Sequence, residues 1–296
     1  MDFLTELKAR AAIIDEALER FLPPPETYPP VIHEAMRYSV FAGGKRLRPV
    51  LVTAAAEAAG GEPAGVLPAA CAIELIHTYS LIHDDLPAMD NDDFRRGKPA
   101  SHRMFGEAVA ILTGDALLTL AFELMAKNLS GDPAAAGRVL RVIGEIAAAA
   151  GTAGMIGGQV ADTIYADQEI DPATLEYIHR HKTGALYRAA VRAGAILAGA
   201  GAGELRSLTE YAECLGLAFQ IKDDILDLEG DQAALGKPVG SDQKNQKATY
   251  PGLFGMEKAK EKARQTAAAA IRALEGFDHR ADFLRAAANF VITRDY

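Results

Sequence analysis

Residues 65–93 read GVLPAACAIELIHTYSLIHDDLPAMDNDD. The first part, over 65–85, repeats its apolar residues at helical spacing and is apolar on most sides, so it predicts a helix inside a bundle, not on its surface. That helix runs straight into Asp84-Asp85, and Pro87 and three further aspartates follow. A greasy helix ending in carboxylates is unusual enough that the rest of the chain is best read outward from it.

The same rhythm recurs on both sides. Phe3, Leu4, Leu7, Ala11, Ile14, Leu18 and Phe21 form one apolar stripe, and similar patterns cover 31–41, 47–59, 104–129, 133–150, 152–166, 172–199, 204–228, 252–275 and 280–293. Alanine is abundant, which favours helices and lets them approach closely. No run of alternating β-branched residues suggests a sheet. The short proline cluster over 22–30 does not divide the chain, so residues 1–296 are expected to form one all-α domain.

Nearly half of the 296 residues are apolar and the net charge is −9. An acidic chain argues against a nucleic-acid surface, so any polyanion must be met by a few placed cations or by metal ions. Cys71 and Cys214 sit in apolar helical segments and read as core residues of a reducing compartment. The opening Met1-Asp2-Phe3 with Glu6 and Lys8 gives no secretory pattern, and the least charged stretch, 146–161, is short and glycine-rich for a bilayer span. A soluble, cytoplasmic protein is expected.

A second aspartate cluster, Asp223-Asp224-Ile225-Leu226-Asp227, also ends an apolar pattern, with Gln220 one turn earlier. Asp223 and Asp227 share a helix face. Asp84 and Asp90 do not, so Pro87 must bend or end the first helix if both are to meet one ion. Charged, glycine- and proline-containing segments follow each cluster, 86–103 and 229–247, and have the look of binding loops. One such cluster reads equally well as a solvated helix end; two, each ending an apolar helix, point to divalent cations, because close carboxylates repel. An all-oxygen set favours Mg²⁺ over zinc and implies a phosphate ligand that shares the ion. An EF-hand loop from Asp90 fails at Phe94 and Arg95, and no His-Glu-x-x-His occurs.

The cations complete the pattern. Gly43-Gly44-Lys45-Arg46-Leu47-Arg48-Pro49 puts three positive charges on a glycine turn at a helix start, where free amides and the helix dipole favour an anion. Arg95, Arg96 and Lys98 follow the first aspartates, Lys182-Thr183 lies within a helix, and Lys237 follows the second cluster. Metal-bridged and direct phosphate binding together suggest two phosphorylated substrates held at once.

In that order Gly43–Pro49, His77–Pro99, Gly157-Gly158-Gln159, Lys182-Thr183-Gly184 and Gln220–Asp227 resemble the short-chain trans-prenyl diphosphate synthases, in particular the bacterial-type farnesyl diphosphate synthases. The two residues inserted in the first motif, Pro87 and Ala88, belong to that bacterial-type branch. The resemblance spans nearly the whole chain and implies a helix bundle of the isoprenoid-synthase type around a deep apolar cavity. It implies head-to-tail condensation of an allylic diphosphate with isopentenyl diphosphate. Asp84, Asp90 and Asp223 would hold three Mg²⁺ ions, with Asp85, Asp224 and Asp227 completing the metal motifs. Arg95, Lys182, Thr183, Gln220, Lys237 and Lys247 would meet the allylic diphosphate, and Lys45, Arg48, His77 and Arg96 the isopentenyl one. Asp84, Asp90, Asp223 and Lys182 would carry the chemistry, in a homodimer.

The resemblance also implies that Tyr79, beside Ser80, is a floor that stops the product at fifteen carbons. Helix arithmetic puts Tyr79 roughly 140° from Asp84, so a core tyrosine remains the other reading. The nearest alternative activity is a geranylgeranyl diphosphate synthase. A silent partner subunit is disfavoured by the intact aspartates, and a terpene cyclase by the cations of Gly43–Pro49.

Overall fold

The structure is a computed structural model and describes residues 2–128, 133–229 and 247–294. Lys237 and most of the segment 229–247 therefore lie outside the described residues.

Fourteen α-helices are described among these residues. The first half holds α1 (Phe3–Phe21), α2 (Pro30–Val40), α3 (Leu47–Ala58), α4 (Leu67–Asp84), α5 (Ser101–Phe105) and α6 (Glu107–Ala126). The second holds α7 (Pro133–Ala150), α8 (Met155–Ile164), α9 (Pro172–Ile178), α10 (Ala185–Ala198) and α11 (Ala202–Glu229), then α12 (Tyr250–Phe254), α13 (Met256–Ala273) and α14 (Asp282–Thr293). The expected helices are present with three refinements. Gly106 at φ +82° and Gly255 at φ +84° each divide one expected helix in two. The helix expected over 172–199 is interrupted by a π-helical turn, His179–Gly184, at the Lys182-Thr183 pair. Such turns often mark functional sites. Against the expectation of no strands, β1 (Phe94–Arg95) and β2 (Lys98–Pro99) form a two-residue antiparallel hairpin, which Gly97 turns at φ +76°.

The main core is where α4 lies. Cys71, Ile73, Leu75 and Ile76 are fully buried among Leu51, Leu117, Tyr187 and Tyr211 from α3, α6, α10 and α11. Its most extensive neighbours are α6 for α4, α10 for α3, and α13 for α11. Burial of one such Leu or Ile is worth roughly 1.5–3 kcal/mol, so the all-round apolar pattern of α4 is what draws it inside. A smaller cluster, with Leu217, Ile221, Ile225 and Tyr250, seats α12 and α13 on the acidic end of α11.

Among the described residues, three segments, Pro63–Asp84, Glu107–Ala126 and Ala134–Ile164, are long and apolar enough to cross a membrane. The expectation drawn from 146–161 alone understated that length. Pro63–Asp84 is 67% buried inside the protein, whereas the other two are 39% buried. They leave Ile111, Leu112 and Leu140 exposed.

Candidate active site

The helix α4 ends at Asp84, and the chain turns back on itself within six residues. Asn91 N–H and Met89 N–H both donate to the Leu86 carbonyl, and Asp90 N–H donates to the Asp84 carbonyl at 2.9 Å. Pro87 thus falls outside the helix, and the turn brings Asp90 beside Asp84, as its position in the sequence required.

Asp84 opens onto a cavity of about 360 Å³. Arg48, His77, Gln159, Lys182 and Thr183 give the cavity polar lining, while Tyr79, Met155, Ile156, Val160 and Leu186 supply apolar wall. Burial lifts the Asp84 carboxyl to about 6, with Asp90 adding to the rise while Lys182 and Arg95 oppose it. Asp85 points elsewhere, into a separate cleft beneath the hairpin. It is buried and accepts from Arg95 Nε at 2.9 Å. Burial raises its carboxyl despite that partner. Two residues expected on metal and on phosphate therefore hold each other in this arrangement.

The second aspartates divide in the same way. Asp223 is partly exposed and accepts from Arg294 Nη2 at 2.5 Å. Asp224 is buried, accepting from Tyr250 N–H at 2.8 Å and from Gln220 Nε2 at 3.0 Å, with His179 Nε2 at 3.4 Å. Asp227 is also buried. Asp224 thus ties the start of α12 to α11. Gln220 Oε1 in turn accepts from Thr183 Oγ1 at 2.7 Å, which joins the acidic end of α11 to the cavity mouth. Among the described residues, no three carboxylate, imidazole or thiol side chains converge tightly enough to hold a metal ion alone.

The lysines meet at a residue that the motifs did not single out. Lys182 Nζ lies 2.6 Å from Asp162 Oδ2, and Lys247 Nζ lies 3.5 Å from the same oxygen and 3.1 Å from Asp90 Oδ1. Asp162 reaches them because α8 presses on the π-helical turn. A Cβ on Gly158 would lie 2.1 Å from the Lys182 backbone nitrogen, so only glycine permits that approach. The pair Gly157-Gly158 was legible in the sequence, and Asp162 stands one helical turn beyond Gln159.

The cations of Gly43–Pro49 separate. Arg46 turns into the core, at φ +51°, and donates to Asp15 at 2.8 Å, Glu74 at 2.7 Å and the Val40 carbonyl at 2.6 Å. It is structural, so the turn presents two cations instead of three. Arg48 Nη1 lies 3.3 Å from His77 Nε2 and its guanidinium stacks 4.5 Å over Tyr187. His77 is held well below the ordinary imidazole range by burial and by Arg48, Arg96 and Arg95, so it is neutral. Burial and Arg294 pull Lys45 down to about 8, against Asp223. The hairpin β1–β2 delivers Arg96, whose guanidinium donates to the Gly43 carbonyl. A Cβ on Gly44, at φ +118°, would meet that guanidinium at 2.6 Å. Residues some fifty positions apart thus form one basic patch, with Arg48 and His77 also in the cavity lining.

Tyr79, left undecided by helix arithmetic, lines the cavity and is almost fully buried. Its ring stands edge-on to His83 at 5.8 Å, and His83 Nε2 lies 3.0 Å from the Ile111 carbonyl. The hydroxyl has no hydrogen-bond partner among the described residues, and burial with nearby Asp84 lifts it to about 12. Arg294 gave no sequence signal at all; it lies buried, stacked 4.0 Å over Phe219, where only folding brings the chain's end to Asp223.

This fold and site define a class: an all-helical protein with paired acidic and basic groups at the mouth of an apolar cavity. The family model described as polyprenyl synthetase matches residues 29–289, and the chain belongs to that family, which makes it a prenyltransferase. It is 50% identical over 99% of its length to a farnesyl diphosphate synthase of Geobacillus stearothermophilus, of which it covers 97%. It is 45% identical over 99% of its length to a geranylgeranyl diphosphate synthase of Cyanophora paradoxa, again covering 97%. Among solved structures, an apo FPP/GFPP synthase from Zymomonas mobilis superposes at a TM-score of 0.86 with 39% identity, covering 98% of this chain and 99% of that one. The geranylgeranyl pyrophosphate synthetase of Pyrococcus horikoshii superposes at 0.88 with 33% identity, covering 99% and 98%.

Proposed function

We propose that the protein condenses an allylic diphosphate with isopentenyl diphosphate and stops at farnesyl diphosphate. The observation that carries this reading is the 360 Å³ cavity itself, with ionic residues at one end and Tyr79 in its apolar lining. Lys182, Lys247, Thr183, Gln220 and Arg95, with Lys237, take the allylic diphosphate. Lys45, Arg48, His77 and Arg96 take the isopentenyl one, for which a neutral His77 between arginines is a hydrogen-bond partner and not a charge.

The donor set fits Mg²⁺. Asp84 and Asp90 are close, oxygen-only and mutually repelling, and the absence of a three-residue cluster among the described residues suits an ion that takes most ligands from phosphate and water. Asp84, Asp90 and Asp223 would hold such ions, with Asp85, Asp224 and Asp227 behind them. Bound there, Mg²⁺ supplies positive charge to the leaving diphosphate. The lysines add to it: one unit-charge contact near 4 Å is worth about 4 kcal/mol at an effective dielectric near 20. Met155, Ile156, Val160 and Leu186 keep water from the allylic cation, the isopentenyl double bond attacks it, and the proton passes to the departing diphosphate.

The second reading is geranylgeranyl diphosphate synthesis, which the relatives of that name favour; Tyr79 in the cavity lining favours the shorter product. A homodimer would cover the exposed α6 side chains Ile111 and Leu112. The test is direct. Pure protein, Mg²⁺, dimethylallyl diphosphate and isopentenyl diphosphate should give mainly the fifteen-carbon product on chromatography. A twenty-carbon product as the main one refutes the chain length, and no turnover refutes the activity.

A further inference from the structure

Among the described residues, Asp162 lies within ion-pair distance of both Lys182 and Lys247, at 2.6 and 3.5 Å, and its side chain is only 14% exposed. Gly158 is what lets α8 carry it there. Nothing in the condensation asks for an extra negative charge at that point. A dianionic or trianionic ligand meeting the two ammonium groups must draw them from Asp162 and then sit beside its charge. At separations of a few ångströms in a half-buried site that repulsion is not screened away.

We propose that Asp162 is a positioning residue that reclaims Lys182 and Lys247 from the departing diphosphate and so governs how readily that product leaves. This rests on the reading of the two lysines as allylic-diphosphate ligands. The lysines alternate between two partners, Asp162 in the open site and phosphate oxygens in the loaded one. The lowered carboxyl of Asp162, which burial opposes and the two lysines impose, keeps it ionised throughout the neutral range.

The sign of the effect separates this role from a structural one. Asp162→Asn keeps the shape and removes the charge. Calorimetric titration of the full-length protein with inorganic diphosphate in the presence of Mg²⁺ should show about tenfold tighter binding than wild type, the scale of one partly screened unit charge. Asp162→Glu, which keeps the charge, should stay within about threefold of wild type. In steady-state assays the Asn variant should show stronger inhibition by inorganic diphosphate and a lower kcat. Unchanged or weaker diphosphate binding in Asp162→Asn overturns the proposal, since loss of mere scaffolding weakens a site. Asp162→Ala makes the same charge change, and loss of a cooperative melt in both variants also overturns it, because Asp162 would then serve the fold. The titration needs no turnover. A wild-type protein that failed to condense the two substrates would therefore refute the function proposed above and leave Asp162 to be decided by binding alone.

Discussion

Replacing Asp84 by Asn should make the metal-free protein more stable while abolishing its activity. Burial lifts this carboxyl from 3.8 to about 6, which means the folded state disfavours its charge. That rise from 3.8 to about 6 corresponds to about 3 kcal/mol. Asp84 is partly open to the cavity, so solvent reduces the cost to about 1–2 kcal/mol. Asn removes the charge at nearly the same volume. In a chelating buffer at pH 7.5 its melting temperature should exceed the wild-type value by about 3–6 °C.

The pH dependence fixes the cause. Asp84 binds its proton more tightly folded than unfolded. Below its unfolded value of 3.8 it is protonated in both states and costs nothing, the penalty grows as pH rises from about 4 to about 6, and above that it is complete. The advantage of the Asn variant should therefore vanish near pH 4 and be constant above pH 6. Differential scanning fluorimetry across pH 4–8 measures it. Adding Mg²⁺ with inorganic diphosphate should raise the wild-type melting temperature much more than that of the variant. An Asn variant that melts at or below wild type in chelator at neutral pH refutes the idea that ligand binding compensates a buried charge.

Three further outcomes follow from the geometry. Tyr79→Ala should remove an aromatic wall of the cavity and shift the main product from fifteen to twenty or more carbons on chromatography. Gly44→Ala forces a Cβ against the Arg96 guanidinium at 2.6 Å on a backbone at φ +118°, so KM for isopentenyl diphosphate should rise about tenfold while the allylic KM stays within about twofold. Arg294→Met should free Asp223 from its 2.5 Å ion pair and let Lys45 recover from about 8 towards its ordinary value, which NMR titration of the Lys45 ammonium reads directly.

The helices were legible because their cause is local. The apolar rhythm of α4, its end at Asp84 and the turn at Pro87 are all written within twenty-odd consecutive residues. The aspartates and the cations were legible as types, since few structures other than a phosphate site gather them in that order. Which way each one points was not. Asp84 and Asp85 are adjacent, yet one faces the cavity and the other Arg95, and the choice depends on where the hairpin β1–β2 places Arg95. Arg46 and Arg48 are two apart, yet Glu74 of α4 claims the first. Asp162 and Arg294 acquire meaning only when α8 meets the π-helical turn and α14 meets α11, contacts no spacing rule encodes.

The charges also show why an acidic site can sit beside an apolar cavity without its ligands. Asp85 has Arg95, Asp90 has Lys247, Asp162 has Lys182 and Asp223 has Arg294, each within hydrogen-bond reach. Only after such pairing is the desolvation of several ions tolerable. Asp84 is different: no side chain hydrogen-bonds to it or forms an ion pair with it among the described residues, and burial raises its carboxyl to about 6. A cation entering the cavity therefore gains most at Asp84. If Mg²⁺ binds as proposed, its contacts with Asp90 and Asp223 would displace a lysine and an arginine, which would then be available to phosphate. On the proposed function, metal and diphosphate should therefore bind cooperatively, and titration of diphosphate with and without Mg²⁺ checks it: equal affinities would refute the argument.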